Sequence, residues 1–177
     1  MVNLRSDEPL AGAATEAIRT GDVETLKRLL RENPGLATVR IGPRTLLHIA
    51  TDWPRHFPNG PATVAALIAA GADVNAPSTG KHAETPLHWA ASSDDVAVLD
   101  TLLEGGANIE APGSVIGGGT PLADAVAFGQ WRAARRLAVY RDYGRARLQL
   151  LQFCQRRLSQ RQRRPSRRDP QRAASTE

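Results

Sequence analysis

The residues that could carry chemistry are few: four histidines, one cysteine and scattered carboxylates. His48 and His88 lie in a repeated hexapeptide, whereas His56 and His82 lie in connecting segments. Zinc sites need closely spaced His and Cys ligands, and that spacing is missing here. Cys154 has no second cysteine to pair with and no histidine near it in the sequence to act as a base. The sequence therefore predicts no catalytic residue, no metal site and no cofactor.

Two further patterns resemble parts of functional motifs. The pair Asp94-Asp95 could be read as an acid–base pair, but its position between two helical patterns favours a solvated turn and a helix cap. The segment Gly117-Gly118-Gly119-Thr120 resembles part of a phosphate cradle. A phosphate loop needs a preceding strand and a following Gly-Lys-Ser/Thr, and neither is present. We therefore predict a flexible loop and a protein that is not an enzyme.

The elements that position these residues are set by an internal repeat. Thr85 to Ala90 reads TPLHWA, and it is echoed by TLLHIA from Thr45 and by TPLADA from Thr120. In two copies a leucine-rich segment follows and ends in a glycine turn, at Gly71 and at Gly106. Self-similarity at this period is typical of repeat solenoids. These motifs resemble the ankyrin repeat.

The resemblance implies an all-α solenoid of helix–turn–helix pairs with projecting loops. Thr at the motif start can cap a helix, Pro suits its first turn, and Gly suits its carboxyl end. In ankyrin repeats the motif histidine usually joins hydrogen bonds between adjacent loops, which implies that structural role for His48 and His88. The expected organisation is a disordered lead (1–9) and about four units (10–41, 42–81, 82–116 and 117–140), of which the last is incomplete. The structural motif residues are Thr45, His48, Gly71, Thr85, Pro86, Leu87, His88, Gly106, Thr120 and Pro121.

Positive charge is concentrated at the carboxyl-terminal end. Residues 1–140 carry 12 Lys and Arg against 15 Asp and Glu, whereas residues 141–177 carry 11 Arg against 3 acidic residues. From Arg145 onward Arg, Gln and Leu dominate, so a basic extension that is partly helical or disordered is expected. A shift of reading frame near Val139 would give the same composition. The sequence leaves the two explanations open.

Aromatic and loop residues are the candidates for contact with a partner. Trp53, His56 and Phe57 lie in an inserted, proline-rich loop, and they either form an exposed patch or fold back onto the repeats. Trp89 occupies the variable position of the hexapeptide, which ankyrin proteins often turn toward a ligand, and it either meets a partner or packs against a neighbouring repeat. Trp131 is expected to pack in the interior. The full set of predicted partner-binding residues is Trp53, His56, Phe57, Lys81, His82, Trp89 and Asp124.

The function most favoured is protein binding through the concave face and loops of the stack. Specificity is expected from the loops 40–44, 77–83 and 111–118. The alternative is association with nucleic acid or an anionic surface through the arginine-rich extension, which would weaken steeply with salt. The lack of a long apolar run or an apolar signal core, together with the single cysteine, predicts a cytoplasmic monomer without membrane contact. The sequence does not specify the partner.

Overall fold

The computed structural model describes residues 3–52 and 56–144. The chain divides into two compact units, residues 1–139 and 140–177. In the second unit only residues 140–144 are described, and they are helical. Within the described residues, none of the helices has the length and apolar character needed to cross a membrane. Residues 145–177 of the predicted extension over 141–177 lie outside the described residues, and so does the choice between a true extension and a frame shift.

The first unit is helix-rich, as the sequence predicts. Its elements are β1 (Asn3–Leu4), α1 (Pro9–Thr20), α2 (Val23–Glu32), a 3-10 helix (Leu36–Thr38), β2 (Arg40–Ile41), β3 (Arg44–Thr45), α3 (Leu46–Ala50), α4 (Gly60–Ala69), α5 (Pro86–Ser92), α6 (Val96–Glu104) and α7 (Pro121–Ala127). Residues 131–139 are again helical. Consecutive helices form pairs, in which a first helix is followed by a turn and a second helix.

The helix pairs stack in two layers. The first helices contact one another in the order α1, α3, α5, α7, and the second helices in the order α2, α4, α6. The core lies between the layers and consists of fully buried leucines together with small alanines that allow close approach. The fully buried leucines are Leu26, Leu46, Leu47, Leu67, Leu87, Leu99, Leu102 and Leu137. Each helix pair therefore depends on its neighbours to bury its apolar face.

A small three-stranded sheet corrects the all-α prediction. β2 and β3 form an antiparallel hairpin with Gly42-Pro43 at its turn, and Gly42 has a φ of +60°, which glycine adopts without strain. β1 pairs in parallel with β2, Asn3 opposite Arg40 and Leu4 opposite Ile41. The lead 1–9, expected to be disordered, thus contains a strand and the start of α1. The physical reason is that the free edge of a hairpin offers unpaired N–H and C=O groups to any strand within reach.

Local capping explains where the helices begin. The side chain of Asp22 accepts a hydrogen bond from the Thr25 N–H at 2.9 Å, and that of Asp95 accepts one from the Val98 N–H at 3.1 Å. Both are helix caps of the expected kind, and they begin α2 and α6. The pair Asp94-Asp95 is thus a turn and a cap. Asp94 additionally accepts the Ala133 N–H at 2.7 Å, which ties the third helix pair to the fourth.

The inserted loop before α4 bridges the turns of two other helix pairs. The Asn59 side-chain amide donates to the Gly21 carbonyl at 2.9 Å, in the turn between α1 and α2. The His56 Nε2 shares a hydrogen bond of 2.7 Å with the Ser93 carbonyl, in the turn between α5 and α6. Pro58 packs so closely on Gly21 that a side chain there would collide with the Pro58 backbone. The insertion therefore acts as a tie across three consecutive helix pairs.

Candidate functional site

The motif histidines fix the loops that precede the first helices. Nδ1 of His48 accepts a hydrogen bond from the Thr45 N–H at 3.3 Å and lies 2.8 Å from the Thr45 hydroxyl. Because Nδ1 accepts a backbone proton, Nε2 must carry the ring proton, and it donates to the Glu84 carbonyl at 2.9 Å. His48 thus connects the start of α3 to the segment just before α5.

Burial keeps this histidine neutral. The His48 ring is fully buried, and burial lowers its pKa to about 4. Burial disfavours the imidazolium, and the neighbouring Arg40 and Arg44 add repulsion in the same direction. Protonation would also place a proton on Nδ1 against the Thr45 N–H. The folded structure is therefore built around a neutral His48.

His88 repeats the arrangement one unit further along. Its Nδ1 accepts the Thr85 N–H at 3.0 Å, and its Nε2 is 3.3 Å from the Gly119 carbonyl. Burial lowers the pKa of His88 as well. The fourth unit has Ala123 at the corresponding position, so its own loop has no such tie.

The loops that precede α3, α5 and α7 (residues 40–44, 77–83 and 111–118) contact one another, and we call them the loop row. The residue Arg40 is almost fully buried, and its guanidinium donates to the Pro77 carbonyl at 2.6 Å and to the Pro43 carbonyl at 3.2 Å. One loop further on, Gly113 packs directly on the Ala83 backbone with a φ of +127°. A side chain at this glycine would collide with that backbone. The loop row is therefore built by contacts between loops as well as by its own turns.

A cleft of about 560 Å³ opens across the first helices. It lies where the carboxyl ends of α3, α5 and α7 meet the loops that precede α5 and α7. The residues that line it are Asp52, Glu84, Trp89, Ser92, Val115, Phe128 and Gln130. This volume is within the range of binding pockets in proteins, roughly 300–1,000 Å³. We call it the Trp89 cleft.

Trp89 and Glu84 form the centre of the Trp89 cleft. The half-buried Trp89 donates from its indole N–H to the Glu84 carboxylate at 3.2 Å. The Trp89 ring stands edge-on to His48, with ring centroids 5.0 Å apart and planes at 77°. The edge-on geometry is a favourable arrangement of two rings. His48 thus contacts both the Glu84 backbone and the Trp89 ring.

Two carboxylates near this centre have raised pKa values. Burial raises the pKa of Glu84, and the charge of Asp124 raises it further. Burial also raises the pKa of Asp124, which is fully enclosed. The Ser114 hydroxyl donates to one carboxylate oxygen of Asp124, and the other oxygen has no hydrogen-bond partner among the residues described. Asp124 therefore influences the Trp89 cleft through its charge and not through direct exposure.

The structure places the predicted partner-binding residues in several different settings. Trp53 lies outside the described residues. His56 is exposed and bonded to Ser93, as above, and Phe57 is half-buried in the same loop. Lys81 is exposed, and the half-buried His82 lies close enough to Glu84 to lower its pKa. Of the six predicted residues that the structure describes, only Trp89 lines the cleft.

Several cleft residues were missed, and one expectation was wrong. Glu84 stands directly before the recognised TPLHWA motif, and Phe128 and Gln130 lie in a turn whose only sequence signal was its glycine. The expectation that Trp131 packs in the interior is wrong, since the residue is 68% exposed. The buried stripe of its helix is formed by Ala133, Ala134 and Leu137. Trp131 lies about 110° from the centre of that stripe on a helix with 3.6 residues per turn.

The helix pairs, the threonine–histidine caps and the loop row define a helical repeat protein. Residues 83–114 match the family described as Ankyrin repeat, and these residues contain α5, α6 and their flanking loops. The chain therefore contains an ankyrin repeat, and the resemblance predicted from the sequence is confirmed there. No curated protein matches the chain. Among the described residues, no group of three or more His, Cys, Asp and Glu side chains stands together as a metal site.

Proposed function

We propose that the chain is a non-enzymatic ankyrin-repeat solenoid that binds a protein partner through the Trp89 cleft and the adjoining loop row. Ankyrin repeats generally mediate protein–protein interaction, and the matching repeat supplies the centre of this surface. The observation that carries the proposal is the cleft itself. It joins residues from three helix pairs and is walled by Trp89 and Phe128.

The composition of the cleft suits protein recognition. Aromatic side chains that stay partly exposed are frequent anchors in interfaces, because they bury a large area with few rotatable bonds. Phe128 is 50% exposed although it lies beside the packed turn of α7. Around the aromatic wall, Ser92 and Gln130 supply polar groups of the kind that border an interface. Contacts between loops hold the loop row beside it, which favours binding without large rearrangement.

Capture of partners by matched variants tests this surface. Phe128→Ala removes an exposed cleft side chain, and Trp131→Ala removes an even more exposed aromatic outside the cleft, so both variants should fold. A protein partner retained by the wild type should bind Phe128→Ala at least about tenfold more weakly. Trp131→Ala should bind it unchanged. Partners captured equally by both variants would place the interface elsewhere.

The second candidate rests on the charge of residues 141–177, which carry 11 Arg against 3 acidic residues. This density of arginine supports association with a phosphate-rich or anionic surface. Such binding would fall steeply between low and moderate salt, whereas binding at the Trp89 cleft, which involves aromatic contact and few charges, would fall much less. A salt titration of the captured complex therefore distinguishes the two.

A further inference from the structure

The charged residues described in the lining of the Trp89 cleft are all acidic. Two carboxylates, Asp52 and Glu84, line it, and no Lys or Arg is among the lining residues that the structure describes. The Asp52 carboxylate already has a counter-charge, because the Arg44 guanidinium lies 2.8 Å away. Glu84 forms no ion pair with any residue of the described ranges 3–52 and 56–144. Among the described residues it is therefore the lining carboxylate that has no ion-pair partner.

Glu84 is also held in place before any ligand arrives. Its backbone carbonyl accepts the His48 Nε2–H at 2.9 Å and the Ser78 N–H at 2.7 Å. Its carboxylate accepts the Trp89 indole N–H at 3.2 Å. A glutamate held both at its backbone carbonyl and at its carboxylate loses little conformational freedom on binding, which favours a strong charge-assisted hydrogen bond. Its raised pKa reflects the cost of half-burying this charge, and the charge of Asp124 adds to it.

The aromatic wall suits the same ligand chemistry. Trp89 and Phe128 line the cleft together with Glu84. Cations bind favourably over the faces of aromatic rings, tryptophan most of all, and arginine is the commonest protein cation in such contacts. An acidic or phosphorylated segment would meet repulsion from Glu84 and from Asp124 behind it. A purely apolar segment would bury the Glu84 carboxylate without a counter-charge, which costs free energy.

We propose that the Trp89 cleft receives an arginine or lysine side chain from a basic segment of a partner protein. Glu84 is the counter-charge, and Trp89 and Phe128 form the aromatic wall. This assignment rests on the proposed protein-binding function and names the chemistry of the partner. The volume of about 560 Å³ exceeds that of one side chain, so the cleft also admits residues on either side of the cation.

Nuclear magnetic resonance of the full-length chain tests the assignment. The indole N–H signal of Trp89 is identified by its loss in Trp89→Phe. A short amidated peptide with one arginine should shift this signal in a saturable way. The same peptide with neutral citrulline in place of arginine should bind at least about tenfold more weakly, because citrulline keeps the shape and loses the charge. The Trp131 indole signal serves as the internal control.

Matched variants assign the counter-charge. Glu84→Gln keeps an oxygen that can accept the Trp89 indole N–H but removes the charge, and it should weaken arginine binding at least about fivefold. Glu104→Gln removes an exposed carboxylate outside the cleft and should change binding less than about twofold. Equal binding of the arginine and citrulline peptides, or full binding by Glu84→Gln, would overturn the assignment.

The outcomes separate this inference from the proposed function. An arginine-specific shift that depends on Glu84 supports the inference even if capture finds no partner sensitive to Phe128→Ala, a result that would remove only the proposed function. A cleft-dependent partner without any arginine-specific shift would keep the function and overturn the inference. Sedimentation gives a third readout. Self-association that Glu84→Gln abolishes would assign the cleft to a second copy of this chain and overturn the assignment to a different protein.

Discussion

The fully buried His48 predicts that the protein loses stability in mild acid. The unfolded chain takes up a proton on this side chain near pH 6.5, whereas burial lowers the folded pKa to about 4. Between these values the unfolded state binds more protons, so the free energy of unfolding falls as the pH falls. Above about pH 6.5 the stabilisation is fully present, and below about pH 4 no more is lost from this group.

The magnitude follows from the two pKa values. One pKa unit corresponds to about 1.4 kcal/mol, so the full window is worth about 3 kcal/mol. Between pH 7 and pH 5 the loss is about 2 kcal/mol. His88 acts in the same direction, because its pKa is also lowered by burial. Glu84 and Asp124 act in the opposite direction, because burial raises their pKa values and the folded state takes up their protons first.

Urea unfolding of matched variants isolates His48 from these other groups. His48→Gln keeps an acceptor for Thr45 and a donor for Glu84 but cannot take up a proton. The stability difference between wild type and His48→Gln should shrink by about 2 kcal/mol from pH 7 to pH 5. A wild type and a His48→Gln variant that stay parallel over this range would refute the assigned protonation state.

Three further predictions concern stability and are measured by denaturant unfolding at neutral pH. Leu102→Ala removes a fully buried side chain of α6 and should cost about 2–4 kcal/mol, whereas a cost below about 1 kcal/mol would contradict its place in the core. Gly106→Ala puts a side chain into open space at a φ of +92° and should cost about 1 kcal/mol. Gly21→Ala adds a collision with the Pro58 backbone and should therefore cost clearly more. Equal costs of the two variants would argue against the contact between the inserted loop and the first helix pair. Asn59→Ala removes the bond to the Gly21 carbonyl at a residue with a φ of +54° and should cost about 1–2 kcal/mol, and a neutral result would show that this bond adds nothing.

The sequence was most informative where one residue type has one local role. Proline at a first helical turn, aspartate at a cap and glycine at a helix end act through their nearest neighbours, so α5, α6 and the turn at Gly106 were readable from the chain. The repeat period added the pairing of helices. These features need no knowledge of what lies far away in the sequence.

Contacts between distant residues could not be read in this way. The pairing of Asn3 with Arg40 joins a segment of unfavourable composition to a hairpin edge that only the folded chain presents. The hydrogen bond between His56 and Ser93 likewise depends on the conformation of the inserted loop, which the sequence does not specify. Trp131 was misjudged because the direction of a side chain depends on which residues of its helix form the stripe, and Ala133 and Leu137 form it.

The candidate cleft combines both kinds of information, and His48 is the residue that connects them. The motif predicted its role between loops, yet the loop it holds ends at Glu84, which no motif singles out. The carbonyl of Glu84 and the ring of Trp89 both contact this histidine, so the scaffold and the cleft depend on the same neutral imidazole. A variant that disturbs His48 should therefore weaken arginine binding without altering any lining residue. That coupling connects the repeat motif from Thr85 to Ala90 with the Trp89 cleft.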